Sequence, residues 1–295
     1  MNVYVSGATG FIGSHVAREL REQGADVRDE RVDLLDRVAL ELVVDGCEAV
    51  VHVAALYSYD ADPREIERVN VDGTLNVLEA AARKGVRRVV HCSTAGTCGP
   101  VPGRAATEDD APPAWELTVP YKRTKLAAER LAREAGAVVV NPTTPVGEGD
   151  RKPTPTGRMV EGVAKGRIRA YVATTGLNVV DVRDVARGHA LALERGEAGE
   201  RYLLGGADLP LADLFAAIAD LAGRSRPRLR VPYAVALAAG KARIVNEDEV
   251  RLARIPMYFS SDKARSRLGY APGPVWPALG RAVNEALARN GKGAA

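Results

Sequence analysis

The run Asn2-Val3-Tyr4-Val5-Ser6-Gly7-Ala8-Thr9-Gly10-Phe11-Ile12-Gly13 decides how the rest of the chain is read. Residues 2–6 read as a short buried strand. Gly7, Gly10 and Gly13 follow at a spacing of three, and a helix then runs to about Gln23, where Gly24 stops it. In this strand–turn–helix setting the first Gly permits a tight turn. The second lets a pyrophosphate approach the backbone, and the third lets helix and strand pack closely. The start of the helix faces the phosphates with free N–H groups and a partial positive charge. Glycines also mark ordinary loops, so the strand before and the amphipathic helix after carry the dinucleotide-binding reading.

The next strand, residues 25–28, is very short and is followed at once by Asp29-Glu30-Arg31, then Asp33 and Leu34. An acidic side chain at this strand end bonds a ribose 2′-hydroxyl, whereas an arginine pairs with a 2′-phosphate. Both kinds are present. Asp29 has the shorter reach to the ribose and Arg31 could stack over the adenine. The expected cofactor is therefore NAD, with NADP possible.

Further along, residues 34–44 read as a helix and residues 49–55 as a buried strand whose small exit, Ala54-Ala55, leaves room for a cofactor. His52 in that strand reads as a core or loop-edge histidine. A helix over 63–84 contains Asn70-Val71-Asp72-Gly73-Thr74, and a strand over 86–92 ends in Ser93-Thr94. A hydroxyl at the carboxyl end of a central strand lies where an open parallel sheet binds its ligand. Residues 99–120, rich in Pro, Gly and acids, read as a loop over the site. A helix over 121–135 and a strand over 137–141 follow, then Pro142-Thr143-Thr144-Pro145. Strands alternating with helices predict an α/β protein with a doubly wound parallel sheet.

The helix over 121–135 begins with Tyr121-Lys122-Arg123-Thr124-Lys125. Positions i and i+4 share a helix face, so Tyr121 and Lys125 point the same way. A nearby ammonium favours the phenolate and fits the tyrosine for acid–base work. The competing reading is a surface tyrosine and a solvated lysine.

Residues 1–145 form the expected dinucleotide-binding domain, to which 176–205 return. The apolar runs 179–182 and 185–193 read as that return to the main sheet. Residues 146–175 and 206–295 read as a smaller, interleaved substrate part, within which 209–221 is helical and the tail from Lys292 is frayed. Arg158, Arg167 and Arg169 could meet a diphosphate or form a solvated basic face.

The chain has 295 residues, 46% of them apolar, enough for a substantial core. A formal net charge of +3 gives no ground for a nucleic-acid surface. No apolar run approaches the roughly 20 residues that cross a bilayer. The start of the chain lacks the pattern of a signal peptide. Cys47, Cys92 and Cys98 lack metal-ligand spacing, so no metal is expected and a reduced, cytoplasmic setting fits.

Together, Gly7-x-x-Gly10-x-x-Gly13, Asp33, Ser93-Thr94 and Tyr121-x-x-x-Lys125 resemble the extended short-chain dehydrogenase/reductases, with the Rossmann fold. Within them the chain is most similar to the NAD-dependent epimerase/dehydratase family. The segments 140–145, 152–157 and 202–206 are similar to the hopanoid-associated sugar epimerases, a branch related to dihydroflavonol reductases. The resemblance implies that Gly7, Gly10 and Gly13 cradle the pyrophosphate with Phe11 and Ile12 beside it. It places Asp33 and Leu34 at the adenine and Ala54 and Ala55 along the cofactor. Pro142 and Thr143 stand near the nicotinamide, Lys125 reaches its ribose, Thr94 is the catalytic hydroxyl and Tyr121 the acid/base.

There are departures. The loop from Arg28 to Val32 is short for the family, and Asp181 and Arg183 stand where relatives often carry His and Asp. Ala95 and Gly96 replace the acidic pair that serves elimination in the dehydratases. The expected activity is epimerisation of a sugar or nucleotide-sugar through a transient keto intermediate. A reductase acting on an aldehyde, ketone or flavonoid-like substrate is the alternative, and a non-catalytic dinucleotide sensor the third reading. The resemblance also implies a homodimer, paired through the helices over 63–84 and 121–135.

Overall fold

The computed structural model describes residues 1–57 and 61–289, so the tail from Lys292 lies outside the described residues. Strand β1 (Asn2–Ser6), helix α1 (Phe11–Glu22), strand β2 (Asp26–Arg28), helix α2 (Arg37–Val44) and strand β3 (Ala49–His52) open the fold. Helices α3 (Pro63–Glu67) and α4 (Gly73–Arg83) are joined by a π-helical turn at Arg68–Asp72. Strand β4 (Arg88–Cys92), helix α5 (Pro120–Glu134) and strand β5 (Val138–Pro142) follow. Then come β6 (Thr144–Val146), α6 (Pro155–Ala164), β7 (Ala170–Val172), β8 (Gly176–Asp181), α7 (Val182–Arg195) and β9 (Arg201–Leu204). The chain continues through β10 (Ala207–Pro210), α8 (Leu211–Leu221), β11 (Leu229–Val231) and α9 (Tyr233–Lys241). Helices α10 (Glu247–Leu252), α11 (Asp262–Leu268) and α12 (Trp276–Ala288) complete it.

Strands pair in the order β2-β1-β3-β4-β5-β9, and every pairing in this sheet is parallel. Side chains on a strand alternate between faces, and both faces here are apolar. Val3, Val5 and Val51 enter a core with Val16 and Leu20 of α1 and with Val185 and Ala190 of α7. Tyr4 and Val50 enter the opposite core with Leu40 and Val44 of α2 and Val77 of α4. This is the doubly wound Rossmann arrangement. From β1 the chain moves outward to β2, then returns to the other side of β1 as β3, which opens a crevice at their carboxyl ends.

The segment 176–205 does not enter the sheet in the way its apolar runs suggest. Residues 176–181 form β8, which joins a separate sheet ordered β10-β8-β6, and residues 185–193 lie inside helix α7. The Asp181 carboxylate caps α7 by accepting from the Arg183 N–H at 2.9 Å. α7 is buried along most of its length against α1 and the sheet. Its exposed side chains, Arg183, Arg187, Glu194 and Arg195, fall on one stripe at helical spacing, but the run 185–193 holds only one of them, and so short an apolar run cannot be told from a strand. The strand that does return to the main sheet is β9.

Beyond the sheet, α6, α8 and α12 share a second core of Val160, Val163, Leu214, Ile218, Leu279 and Val283. Strands β7 and β11 pair beside it.

Candidate active site

The turn after β1 is shaped by two glycines. Gly7 has φ +72°, a left-handed conformation, and a Cβ there would stand 2.7 Å from the Ala54 nitrogen. A Cβ on Gly13 would run into the Gly7 carbonyl, so only glycine lets α1 start this close to β1. Helix α1 has no side-chain cap at Gly10, which leaves its first N–H groups available to an anion.

That turn forms one end of a cleft of about 1120 Å3. Gly7, Gly10, Phe11, Ile12, Gly13, Asp29, Arg31, Ala54, Ala55, Thr94, Tyr121, Lys125, Pro142 and Thr143 all line it. Asp33 and Leu34 do not. They line an adjoining recess of about 560 Å3 that shares Arg31, Val32, Ala54 and Ala55 with the cleft. There the Asp33 carboxylate accepts from the Leu35 N–H, and Leu34 is buried, with its side chain against Gly73. Cleft and recess adjoin through the residues they share, and the glycine turn lines the cleft. The second strand end sorts its charges. Arg28 turns away to the carbonyls of Val43 and Asp45. Asp29 pairs with Arg21 at 2.7 Å, and Arg31 has no ion-pair partner among the described residues.

At the other end Tyr121 and Lys125 stand on the first turns of α5, which starts with Pro120. Lys125 is buried and its Nζ donates to the Cys92 carbonyl at 2.8 Å. Tyr121 stacks on Tyr57, ring centroids 4.4 Å apart. Burial, together with Tyr57 and Cys92, pushes the Tyr121 phenol well up. Burial also lowers Lys125, against the opposing pull of Cys92 and Glu129. The phenol therefore shifts in the opposite direction to the expected depression, and burial is the largest cause.

Thr94 follows β4 directly, and its Oγ1 accepts from the Gly96 N–H at 3.3 Å. The turn that carries it is held from behind by Glu129, one helical turn beyond Lys125 on α5. Oε2 of this buried carboxylate accepts from Ser93 Oγ at 2.5 Å, Thr97 Oγ1 at 2.5 Å and Asn141 Nδ2 at 2.8 Å. Its Oε1 accepts from Arg201 at 2.9 Å. Asn141 Nδ2 also reaches the Thr94 carbonyl at 3.1 Å. Arg201 in turn donates to the carbonyls of Glu108 and Asp110, which ties the 99–120 loop to the same carboxylate.

Asn70 belongs to the π-helical turn. Its amide bonds both Leu56 backbone groups and donates to Thr124 at 3.2 Å, which fixes the exit of β3 against α5. π-helical turns of this kind recur at functional sites. Sequence reading missed Tyr57, Glu129 and Arg201. Glu129 alone had a signal, since it extends the Tyr121/Lys125 spacing by four more residues. His52 is confirmed as structural: buried, it bonds Ser6 Oγ at 2.7 Å and Thr74 Oγ1 at 3.1 Å.

Of the three arginines, Arg158 lines the cleft and pairs with Glu249 at 3.5 Å. Arg167 and Arg169 lie outside it, exposed, the first beside Glu161 and the second on the Gly166 carbonyl. Asp181 and Arg183 also lie outside, in a surface network with Arg281 and Glu148. Among the described residues no group of side chains could hold a metal.

A phosphate-binding turn, a long crevice at the carboxyl ends of β1, β3 and β4, and a tyrosine, lysine and threonine at its far end define a dinucleotide-dependent enzyme of the extended short-chain dehydrogenase/reductase type. The chain belongs to the NAD dependent epimerase/dehydratase family, whose model matches residues 3–205. Its cofactor is a nicotinamide adenine dinucleotide. It is 35% identical to a Synechocystis protein provisionally named dihydroflavonol 4-reductase, over 95% of this chain and 93% of the relative. It is also 35% identical to sterol demethylase protein B of Methylococcus capsulatus, over 79% of this chain and 78% of the relative. The crystal structure of a nucleoside-diphosphate-sugar epimerase from Pseudomonas aeruginosa superposes with a TM-score of 0.83 at 28% identity, covering 99% and 98% of the two chains.

Proposed function

We propose that the protein is an NAD(P)-dependent oxidoreductase that interconverts a carbonyl and a secondary alcohol on a largely apolar substrate. The observation that carries this is the wall of the cleft beyond Tyr121. Met159, Ile168, Leu177, Phe215, Leu252 and Met257 give it an apolar stretch beside the charged Arg151, Lys152, Arg158 and Glu249, and apolar atoms make up most of the cleft's lining. The names of the two 35%-identical relatives, with their dihydroflavonol and sterol, support the same reading. It reverses the order expected from sequence, where the sugar epimerase stood first.

Tyr121, protonated through its burial, gives its phenolic proton to the carbonyl oxygen. Thr94 Oγ1 donates to the same oxygen and holds it within hydrogen-bond reach, roughly 3 Å, of the tyrosine. Lys125, fixed by the Cys92 carbonyl, stabilises the phenolate that remains. When bound, the nicotinamide ring supplies the hydride. Gly7, Gly10 and Gly13 hold the pyrophosphate and Ala54 and Ala55 line its path. Pro142 and Thr143 border the nicotinamide end, while Asp33 and Leu34 border the adenine. Asp29, with one carboxylate oxygen on Arg21 and the other open, bonds the ribose, which favours NAD. Residues 146–175 and 206–295 supply the substrate wall. The protein pairs as a homodimer through α3–α4 and α5.

The second reading, a nucleotide-sugar epimerase, draws on Arg151, Lys152 and Arg158, which also line the cleft and could take a diphosphate. One panel decides between them. Apolar ketones and aldehydes with reduced cofactor should give steady loss of nicotinamide absorbance, while nucleotide-sugars give no epimer. Epimerisation without net cofactor use would overturn the proposal in favour of the second reading.

A further inference from the structure

The surface beside the mouth of the cleft has its own chemistry. Residues 222–246 carry Arg224, Arg226, Arg228, Arg230, Lys241 and Arg243 and no acidic side chain, and of the acids that follow at 247–249, Glu247 is paired with Arg251 and Glu249 with Arg158. Arg226 is held by Asp220 and Arg230 by the Tyr171 hydroxyl. Arg224, Arg228, Lys241 and Arg243 have no side-chain partner among the described residues.

After Arg224, Arg226, Arg228 and Arg230 in the chain, α9 turns an apolar face outward. It buries Ala236 and Gly240, the latter against Glu247 of α10, and exposes Ala234, Val235, Ala238 and Ala242 along one stripe. The stripe runs on into Ile244 and Val245. Val235 is 58% exposed, Ile244 76% and Val245 47%, among the most exposed aliphatic side chains of the molecule. Val245 also lines the cleft, so the apolar stripe and the apolar substrate wall are continuous.

Exposed aliphatic side chains adjoining cations without side-chain partners, Lys241 and Arg243, match a surface that is negative outside and hydrocarbon beneath. Single-stranded nucleic acid satisfies the charges but stacks on aromatic rings, not on valine and isoleucine. A helix laid in a lipid interface uses both kinds of group. We propose that α9 and the turn at 242–246 dock on an anionic lipid surface, from which an apolar substrate passes Val245 into the cleft. The entry route rests on the substrate reading above; the docking does not.

Flotation of the full-length protein with vesicles tests it. Phosphatidylcholine vesicles containing phosphatidylglycerol should carry the protein, vesicles of phosphatidylcholine alone should not, and salt should weaken the binding. Each basic side chain at an anionic surface is worth about fivefold in partition. The triple variant Arg224→Glu, Arg228→Glu, Arg243→Glu should therefore lose about a hundredfold or more. The double variant Val235→Asp, Ile244→Asp should lose at least tenfold. Both change exposed positions, and unchanged melting would show that they fold. Wild type that ignores anionic vesicles, variants that bind as wild type does, or tighter binding to a single-stranded RNA than to the vesicles would overturn the proposal. Vesicle binding without turnover of apolar carbonyls would sink the substrate reading and leave the docking face standing.

Discussion

Glu129→Gln tests how the active-site hydroxyl is held, because nearly everything behind Thr94 converges on this carboxylate. Gln keeps the shape but brings one acceptor where the carboxylate has two, so it can serve the Ser93, Thr97 and Asn141 donors or Arg201, not both. Arg201, with its side chain only 11% exposed, then loses its countercharge and keeps only neutral carbonyl partners. Breaking a buried charge pair from one side costs about 3–5 kcal/mol. The carbonyls left to Arg201 place the expected loss near the lower bound, about 3 kcal/mol. With a urea slope of about 2 kcal/mol per molar, the midpoint falls by roughly 1.5 M. Urea titration followed by circular dichroism measures it. A second effect follows from charge: without the carboxylate, Lys125 loses its proton at lower pH, so the alkaline limb of the kcat profile moves down. A midpoint shift below about 0.3 M, together with an unmoved alkaline limb, would refute the reasoning.

Acid should destabilise the fold well above the range of ordinary carboxylates. Burial and the Lys125 charge hold His52 at about 3, and burial holds His189 at about 4. Both folded values are depressed, so the unfolded chain binds the extra protons and stability is lost as pH falls below about 6.5. At pH 5 the two groups together remove about 4 kcal/mol relative to pH 8; a melting temperature flat from pH 7 to pH 5 would contradict this. Asp29→Ala should weaken NAD more than NADP, and calorimetric titration of both cofactors checks it; a wild type that prefers NADP reverses the assignment. Light scattering at micromolar concentration should give twice the chain mass, and a monomer would remove the dimer.

The sheet and the cofactor turn were legible because their signals are local. Gly7 and Gly13 are required by contacts made within a few residues of sequence or across one strand, and Tyr121 and Lys125 need only one helical turn. The network behind them was not legible. Glu129 meets Ser93, Asn141 and Arg201, whose separations in sequence reach 72 residues, and no spacing rule connects them. Residues 185–193 misled for a different reason: the charged stripe of the helix, Arg183, Arg187, Glu194 and Arg195, falls mostly outside that run, which leaves too few turns to show the helical period. The Tyr121 phenol misled through energetics, since sequence shows the neighbouring lysine but not how deeply both are buried. The substrate wall draws on α6, α8, α10 and the segments between, so its apolar character emerges only when they are assembled.

The central claim is that Tyr121 moves the proton at the reacting oxygen while other residues, the glycine turn and Asp29 among them, secure the cofactor. Tyr121→Phe, assayed with the best-turned-over carbonyl of the panel and titrated with cofactor, tests it most directly. The account predicts that kcat falls about 10²–10⁴-fold while the cofactor Kd stays within about threefold. Near-normal turnover, or loss of cofactor binding in step with loss of rate, would contradict it.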